Sequence, residues 1–178
     1  MIYKTKHSSS AILIHGLLIW TGPEIVMRKL DRDLEAAKIF ESECGERWVD
    51  GIFYINPSCL SNKQSARLPN PDFLYFLIPY DLSNGDLFVS TSVPPNDRYW
   101  SIHAHNRNTD AFYRITNTEI NGERFELLIT KNKNKTSDIP IAYATSKKGV
   151  ILNRLVMKDF SEYKSLDIFR RSTFREYR

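Results

Sequence analysis

The chain has 178 residues, 42% hydrophobic and 26% charged. That composition excludes wholesale disorder and leaves room for one domain with a substantial core, but hardly for two. The formal charge of +4 and pI near 9.0 are thinly spread, with clusters at Lys131, Lys133 and Lys135 and at Arg170, Arg171, Arg175 and Arg178. A nucleic-acid footprint interleaves such cations with stacking aromatics on one face. The segment KNKNKTSD contains no aromatic and reads as a solvated loop, so nucleic acid is not an expected partner.

At the amino terminus, Lys4 and Lys6 precede the apolar run AILIHGLLIW, Ala11 to Trp20. A spanning helix needs roughly twenty apolar residues, and only Ile25, Val26 and Met27 extend this run beyond Thr21, Gly22, Pro23 and Glu24. The segment reads as a shortened signal-anchor, an interfacial segment or a buried element, giving possible membrane association through residues 11–27. No small-residue cleavage site follows, which argues against a removed leader. Arg28, Lys29 and Arg32 follow the run, so charge does not set an orientation.

From Pro23 to Glu43 the pattern is helical. Met27, Leu30, Leu34 and Ala37 form one stripe with Val26 and Phe40 at its margin, and Lys29 and Asp33 are placed to pair across a turn. Pro23 suits a first helical turn and Gly45 a C-terminal stop. This helix reads as a cover on a sheet or as a stalk. The chain thus divides into an N-terminal segment, 1–45, and a β-rich domain, 46–178. Cys44 and Cys59 straddle that boundary. Joined, they would close a loop contributing about 3 kcal/mol in the chain-entropy model; as free thiols they lack companions at zinc-ligand spacing.

The middle of the chain is a succession of short strands: Trp48–Ile55, Phe73–Tyr80, Leu87–Thr91, Tyr99–His105, Phe112–Thr116, Phe125–Thr130, Ile141–Thr145 and Val150–Val156. Asn84-Gly85 and Asn121-Gly122 supply turns, and Pro94-Pro95 must leave any ladder for want of amide donors. Strands at this interval without intervening helices predict a mainly β, sandwich-like domain rather than a parallel sheet. A closing helix follows, with a capping-box pattern at Asp159 and Glu162 and a stripe of Phe160, Tyr163, Leu166 and Phe169. The basic tail after Arg170 reads as fraying.

Chemistry-bearing residues are few. In a strand, His103 and His105 share a face with Tyr99 and Ser101. Two imidazoles at this spacing can serve a transition metal, but a site needs a third ligand, and the nearby choices are generic carboxylates such as Asp97 and Asp110. A strand bearing two hydrogen-bonded histidines has the same sequence. Arg98, in Asp97-Arg98-Tyr99-Trp100, either orients a turn or grips an anion with its planar fork. The candidate ligand-binding residues are therefore Arg98, Tyr99, His103 and His105. No nucleophile elbow, zincin or phosphate-loop motif is present, and no cofactor is implied.

The segments PDFLYFLIPYDLSNGDL, NDRYWSI and DAFYRIT resemble the bacterial family called domain of unknown function 1254. The resemblance rests on Asp72 and Tyr75, on Asp81-Leu82-Ser83 with Gly85, on Asp97-Arg98-Tyr99-Trp100, and on Asn106 and Phe112-Tyr113. The piece GVILNRLVMKDFSEYKSL, with Arg154 in the family's usual basic position, extends it to about Leu166. The resemblance implies a β-rich fold with helical margins, and a short member with an inner-membrane anchor and a domain facing the periplasm. It also implies a companion carrying a second domain of unknown function, numbered 1214, on the same or a neighbouring chain. It brings no established reaction. His103 and His105 are not part of the pattern, and the run at Ala11 to Trp20 is weaker than a normal anchor. The expectation is a non-catalytic binding or assembly module of the cell envelope. The alternatives are a purely structural subunit, a cytoplasmic location, and a metal-dependent hydrolase using His103 and His105.

Overall fold

The computed structural model describes residues 7–37, 47–55, 70–95, 98–120 and 122–178. Two sheets face one another across the main core. The larger is built from β1 (Arg47–Val49), β2 (Ile52–Ile55), β3 (Phe73–Asp81), β9 (Lys148–Val156), β5 (Trp100–Asn106) and β6 (Ala111–Thr116), in that order and antiparallel throughout. The smaller runs β10 (Phe174–Tyr177), β4 (Leu87–Ser92), β7 (Arg124–Thr130) and β8 (Ile141–Tyr143). Its last pair, β7 with β8, is parallel. The protein is a β-sandwich with an N-terminal helix, α1 (His7–Ala37), and a C-terminal helix, α2 (Tyr163–Arg171).

Alternation along the strands makes the core. Leu74, Phe76, Ile78 and Tyr80 of β3, Trp100, Ile102 and Ala104 of β5, and Ile151 and Leu155 of β9 point inward. They meet Leu87 and Val89 of β4 and Phe125, Leu127 and Ile129 of β7. Residues of the opposite parity form the outer face of the six-stranded sheet. Over β1, β2 and β3 that face is covered by α1. Leu34 is buried and Leu30 half-buried against Phe53, Ile55, Trp48, Tyr75 and Leu77, and the Trp48 indole donates to the Leu34 carbonyl at 3.0 Å.

Several sequence expectations need correction. The N-terminal helix does not start at Pro23 but at His7, so Pro23 sits well inside it. The apolar run and the amphipathic stripe belong to one continuous helix, although Pro23 has no N–H to give back to the preceding turn. Lys29 and Asp33 do pair, at 3.7 Å, and Met27 and Leu34 are buried. Gly45, Cys44, Cys59 and Asp97 lie outside the described residues. The segment Trp48–Ile55 is two strands, because Asp50 and Gly51 both take positive φ (49° and 76°) and close a two-residue hairpin. That Asp-Gly pair is a strong hairpin signal in its own right.

The capping box is a different arrangement. Asp159 accepts from the Ser161 amide at 2.7 Å, and Glu162 accepts from the Lys158 amide at 3.0 Å, around a short 3₁₀ turn, Phe160–Glu162. Phe160 lies outside the core and stacks on Tyr163.

The tail does not fray. Phe174–Tyr177 pairs with β4 as an edge strand, and Asp86 and Arg178 exchange amide bonds at 2.9 and 2.8 Å. A basic, aromatic tail is a good edge strand once a partner edge is open beside it. Gly85 (φ 121°) is required at this junction, since a Cβ there would press on the Arg178 carbonyl.

Candidate functional site

β5 lies between β9 and β6, so its outward side chains sit in the middle of the exposed half of the large sheet. Because Trp100, Ile102 and Ala104 are committed to the core, Ser101, His103 and His105 face out. The two imidazoles stack with centroids 6.1 Å apart. His105 Nδ1 is 3.0 Å from the Thr109 carbonyl; a carbonyl only accepts, so this nitrogen carries the proton and Nε2 is left free. Burial, followed by the charges of Arg154, His105 and Arg114, holds the His103 pKa below its ordinary value.

Arg98 and Tyr99 precede β5 and are used differently. Arg98 makes a two-pronged pair with Glu162, at 2.9 and 2.8 Å, and donates to the Val156 carbonyl at 3.2 Å. It ties the turn before α2 to the end of β9. The same pair holds the Glu162 carboxyl below its usual range, with the Lys158 amide assisting. Tyr99 is exposed and meets Phe73 edge-on at 6.0 Å. Among the described residues, no group of three or more His, Cys, Asp or Glu side chains comes together as a metal site.

Sequence reasoning did not assemble Arg114 and Arg154 with the histidines. Arg114 lies opposite His103 on β6, and Arg154 lies opposite Ser101 on β9. The alternation in FYRIT and NRLV puts both arginines on outward positions, but only the strand order β9-β5-β6 makes them neighbours of His103.

Two cavities flank α1. One, of about 380 Å³, lies between the helix and the sheet edge, with Asp31, Trp48, Asp81, Lys148, Arg175 and Tyr177 in its wall. Its charges largely satisfy one another: Lys148 pairs with Asp81 at 3.1 Å, and Arg175 donates to the carbonyls of Asp50 (3.0 Å) and Pro79 (3.1 Å). The Tyr80 phenol donates to the His105 carbonyl at 3.0 Å, and burial raises its pKa well above the ordinary tyrosine value, so it remains a neutral donor. The second cavity, of about 330 Å³, is lined by Trp20, Glu24, Arg107, Asn108, Thr145 and Ser146, where α1 leaves the domain. There Arg107 reaches both Glu24 (3.5 Å) and Asp31 (3.9 Å).

This architecture defines a β-sandwich with one helix laid across its outer face and running on beyond it. The chain belongs to the family described as Protein of unknown function (DUF1254), whose model matches residues 53–173. Its fold is shared with the VPA0106 protein from Vibrio parahaemolyticus, at a TM-score of 0.55 and 10% identity, over 89% of this chain. The chain spans 37% of that longer protein. An uncharacterised protein from Burkholderia cenocepacia aligns at a TM-score of 0.43 and 12% identity, over 52% of this chain and 28% of its own. No curated protein matches the sequence.

Proposed function

We propose that the protein is a membrane-tethered binding or assembly module of the cell envelope, held by α1 in the inner membrane with its β-sandwich facing the periplasm, and without catalytic activity of its own. The observation that carries this reading is the division of α1 into two halves. Its C-terminal half buries Met27 and Leu34, whereas Ile12, Leu13, Ile14, Leu17, Leu18, Ile19 and Trp20 are 59–86% exposed. These seven side chains project around the whole helix circumference and not along one stripe. A helix apolar all round suits an apolar medium on every side.

The helix is long and apolar enough to cross a membrane over Ser10–Glu35. From Ser10 to Pro23, before Glu24 meets Arg107 of the sandwich, it rises about 20 Å, short of the ~30 Å of a hydrocarbon core. Local thinning and snorkelling at the ends accommodate such a mismatch. Glu24 and Arg28, which close the apolar part, already pair with each other at 2.8 Å. The module acts with a companion carrying the domain numbered 1214. The longer Vibrio relative, in which the shared fold occupies 37% of the chain, has room for such a further unit.

The test is alkaline extraction of membranes from cells expressing the full chain, with the intact mass measured on the bound material. The wild-type chain is expected in the membrane pellet with residues 7–37 retained. Leu17→Arg combined with Leu18→Arg should release it, because each charge near a helix centre costs about 2.5–3.5 kcal/mol on insertion scales. Recovery of the wild type in the soluble fraction, or with the helix removed, would refute the tether.

A further inference from the structure

The open part of the outer face gathers cations that, among the described residues, no carboxylate pairs, the nearby Glu119 accepting instead from the Thr116 amide and hydroxyl at 3.0 Å. β3, β9, β5 and β6 bring Tyr75, Arg154, Ser101 and Thr116 into one cross-strand row, and the next row on β5 and β6 holds His103 and Arg114. His105 stacks on His103 from the other side. Among the described residues, neither Arg114 nor Arg154 has a hydrogen bond or ion pair, whereas Arg98, Arg107, Arg124, Arg170, Arg171 and Arg175 each have one. Beneath this cluster lies a second anomaly. Ser101 is completely buried, and among the described residues its hydroxyl is the buried side-chain group that lacks any hydrogen-bond partner. Buried hydroxyls are almost always bonded, so an orphan beside unpaired cations asks for an absent acceptor.

We propose that this face binds a phosphate-type oxyanion, held between Arg154 and Arg114, with His103 and the Ser101 hydroxyl as further donors. Guanidinium groups match such an anion with paired N–H donors. The anion also explains the arrangement: it gives two unpaired arginines a counter-charge, and it accepts the orphaned O–H. His103 is faced by Arg154 from β9, Arg114 from β6 and His105 on its own strand, so a bound dianion would favour its protonated form. This assigns a ligand class to the binding role proposed above. It depends on the sandwich and not on the tether, so either can fail alone. The phosphate could belong to a soluble molecule or to a lipid headgroup.

Inorganic phosphate titrated into the full chain in maltoside micelles, followed by the NMR signals of the His103 and His105 rings, separates the outcomes. Saturable shifts with a raised His103 pKa are expected. Arg154→Gln and Arg114→Gln should each weaken binding tenfold or more, with circular dichroism confirming the fold. Ser101→Ala breaks no existing bond, so it should leave the melting temperature unchanged and still weaken binding several-fold. A second titration uses nanodiscs of phosphatidylcholine with and without phosphatidylglycerol. Shifts that need the anionic lipid and are absent with free phosphate assign the headgroup as the source. No saturable shift with either probe, or full affinity in a folded Arg154→Gln variant, would overturn the assignment.

Discussion

Arg170 should be one of the most sensitive positions in the protein, and Arg170→Met is the variant that shows it. The side chain is almost wholly buried although it lies in a stretch that reads as a basic tail. It donates to the carbonyls of Ile55 on β2 and Tyr75 on β3, the latter at 2.8 Å, and its Nε donates to Asp167 at 2.7 Å. Its guanidinium lies 5.4 Å from the centroid of the buried Tyr54 ring. Methionine fills much of the same volume but removes the donor that Arg170 gives to two strand carbonyls and deprives Asp167 of one of its two arginines, Arg171 being the other. Removing one partner of a buried, hydrogen-bonded charge costs about 3–5 kcal/mol. For a chain of this size each kcal/mol lowers the melting temperature by about 2–4 °C, so a loss of roughly 6–20 °C is expected. Thermal unfolding of full-length wild type and variant in the same micelles measures it. A loss under about 1 kcal/mol would show that water reaches these carbonyls and that α2 is not pinned to the sheet through Arg170.

Two further outcomes follow from the packing and the charges. Gly149 leaves no room for a Cβ, which would collide with the His105 carbonyl and the Tyr80 ring; Gly149→Ala is expected to cost at least about 1–3 kcal/mol by overpacking, read by denaturant unfolding, and an unchanged midpoint would contradict this close approach. Acidification should weaken the fold in two steps. The depressed pKa of His103 means that the unfolded chain protonates first, so stability falls as pH drops below about 6.5, the ordinary histidine value. Asp81, bonded by the Ser83 amide, and Glu162, bonded by Arg98, are also depressed, so the stability they contribute above their ordinary values, about pH 4, is lost as pH falls further through their folded values. The pH dependence of the melting temperature in His103→Gln should lack the upper step and keep the lower one; an upper step that survives intact would assign it to another group.

The local elements were largely determined by the sequence alone. Period-two alternation in FLYFLIPY and GVILNRLV sets inward and outward faces before any partner is known, and the core follows that parity at Phe76, Ile78, Ile151 and Leu155. The family resemblance, carried by short motifs such as Asp81-Leu82-Ser83, likewise needed no coordinates. Tertiary structure decided what these elements meet. The edge of β4 turns a basic tail into β10, and a pocket lined by two strand carbonyls and Asp167 makes Arg170 a buried residue. The order β9-β5-β6 sets Arg154 and Arg114, 40 positions apart, around Ser101 and His103. Alternation is a property of one strand, written in its own residues. Neighbourhood across a sheet depends on which edges pair, a choice made by the packing of the whole core, so the orphaned Ser101 hydroxyl and its unpaired arginines come into view only in the folded chain.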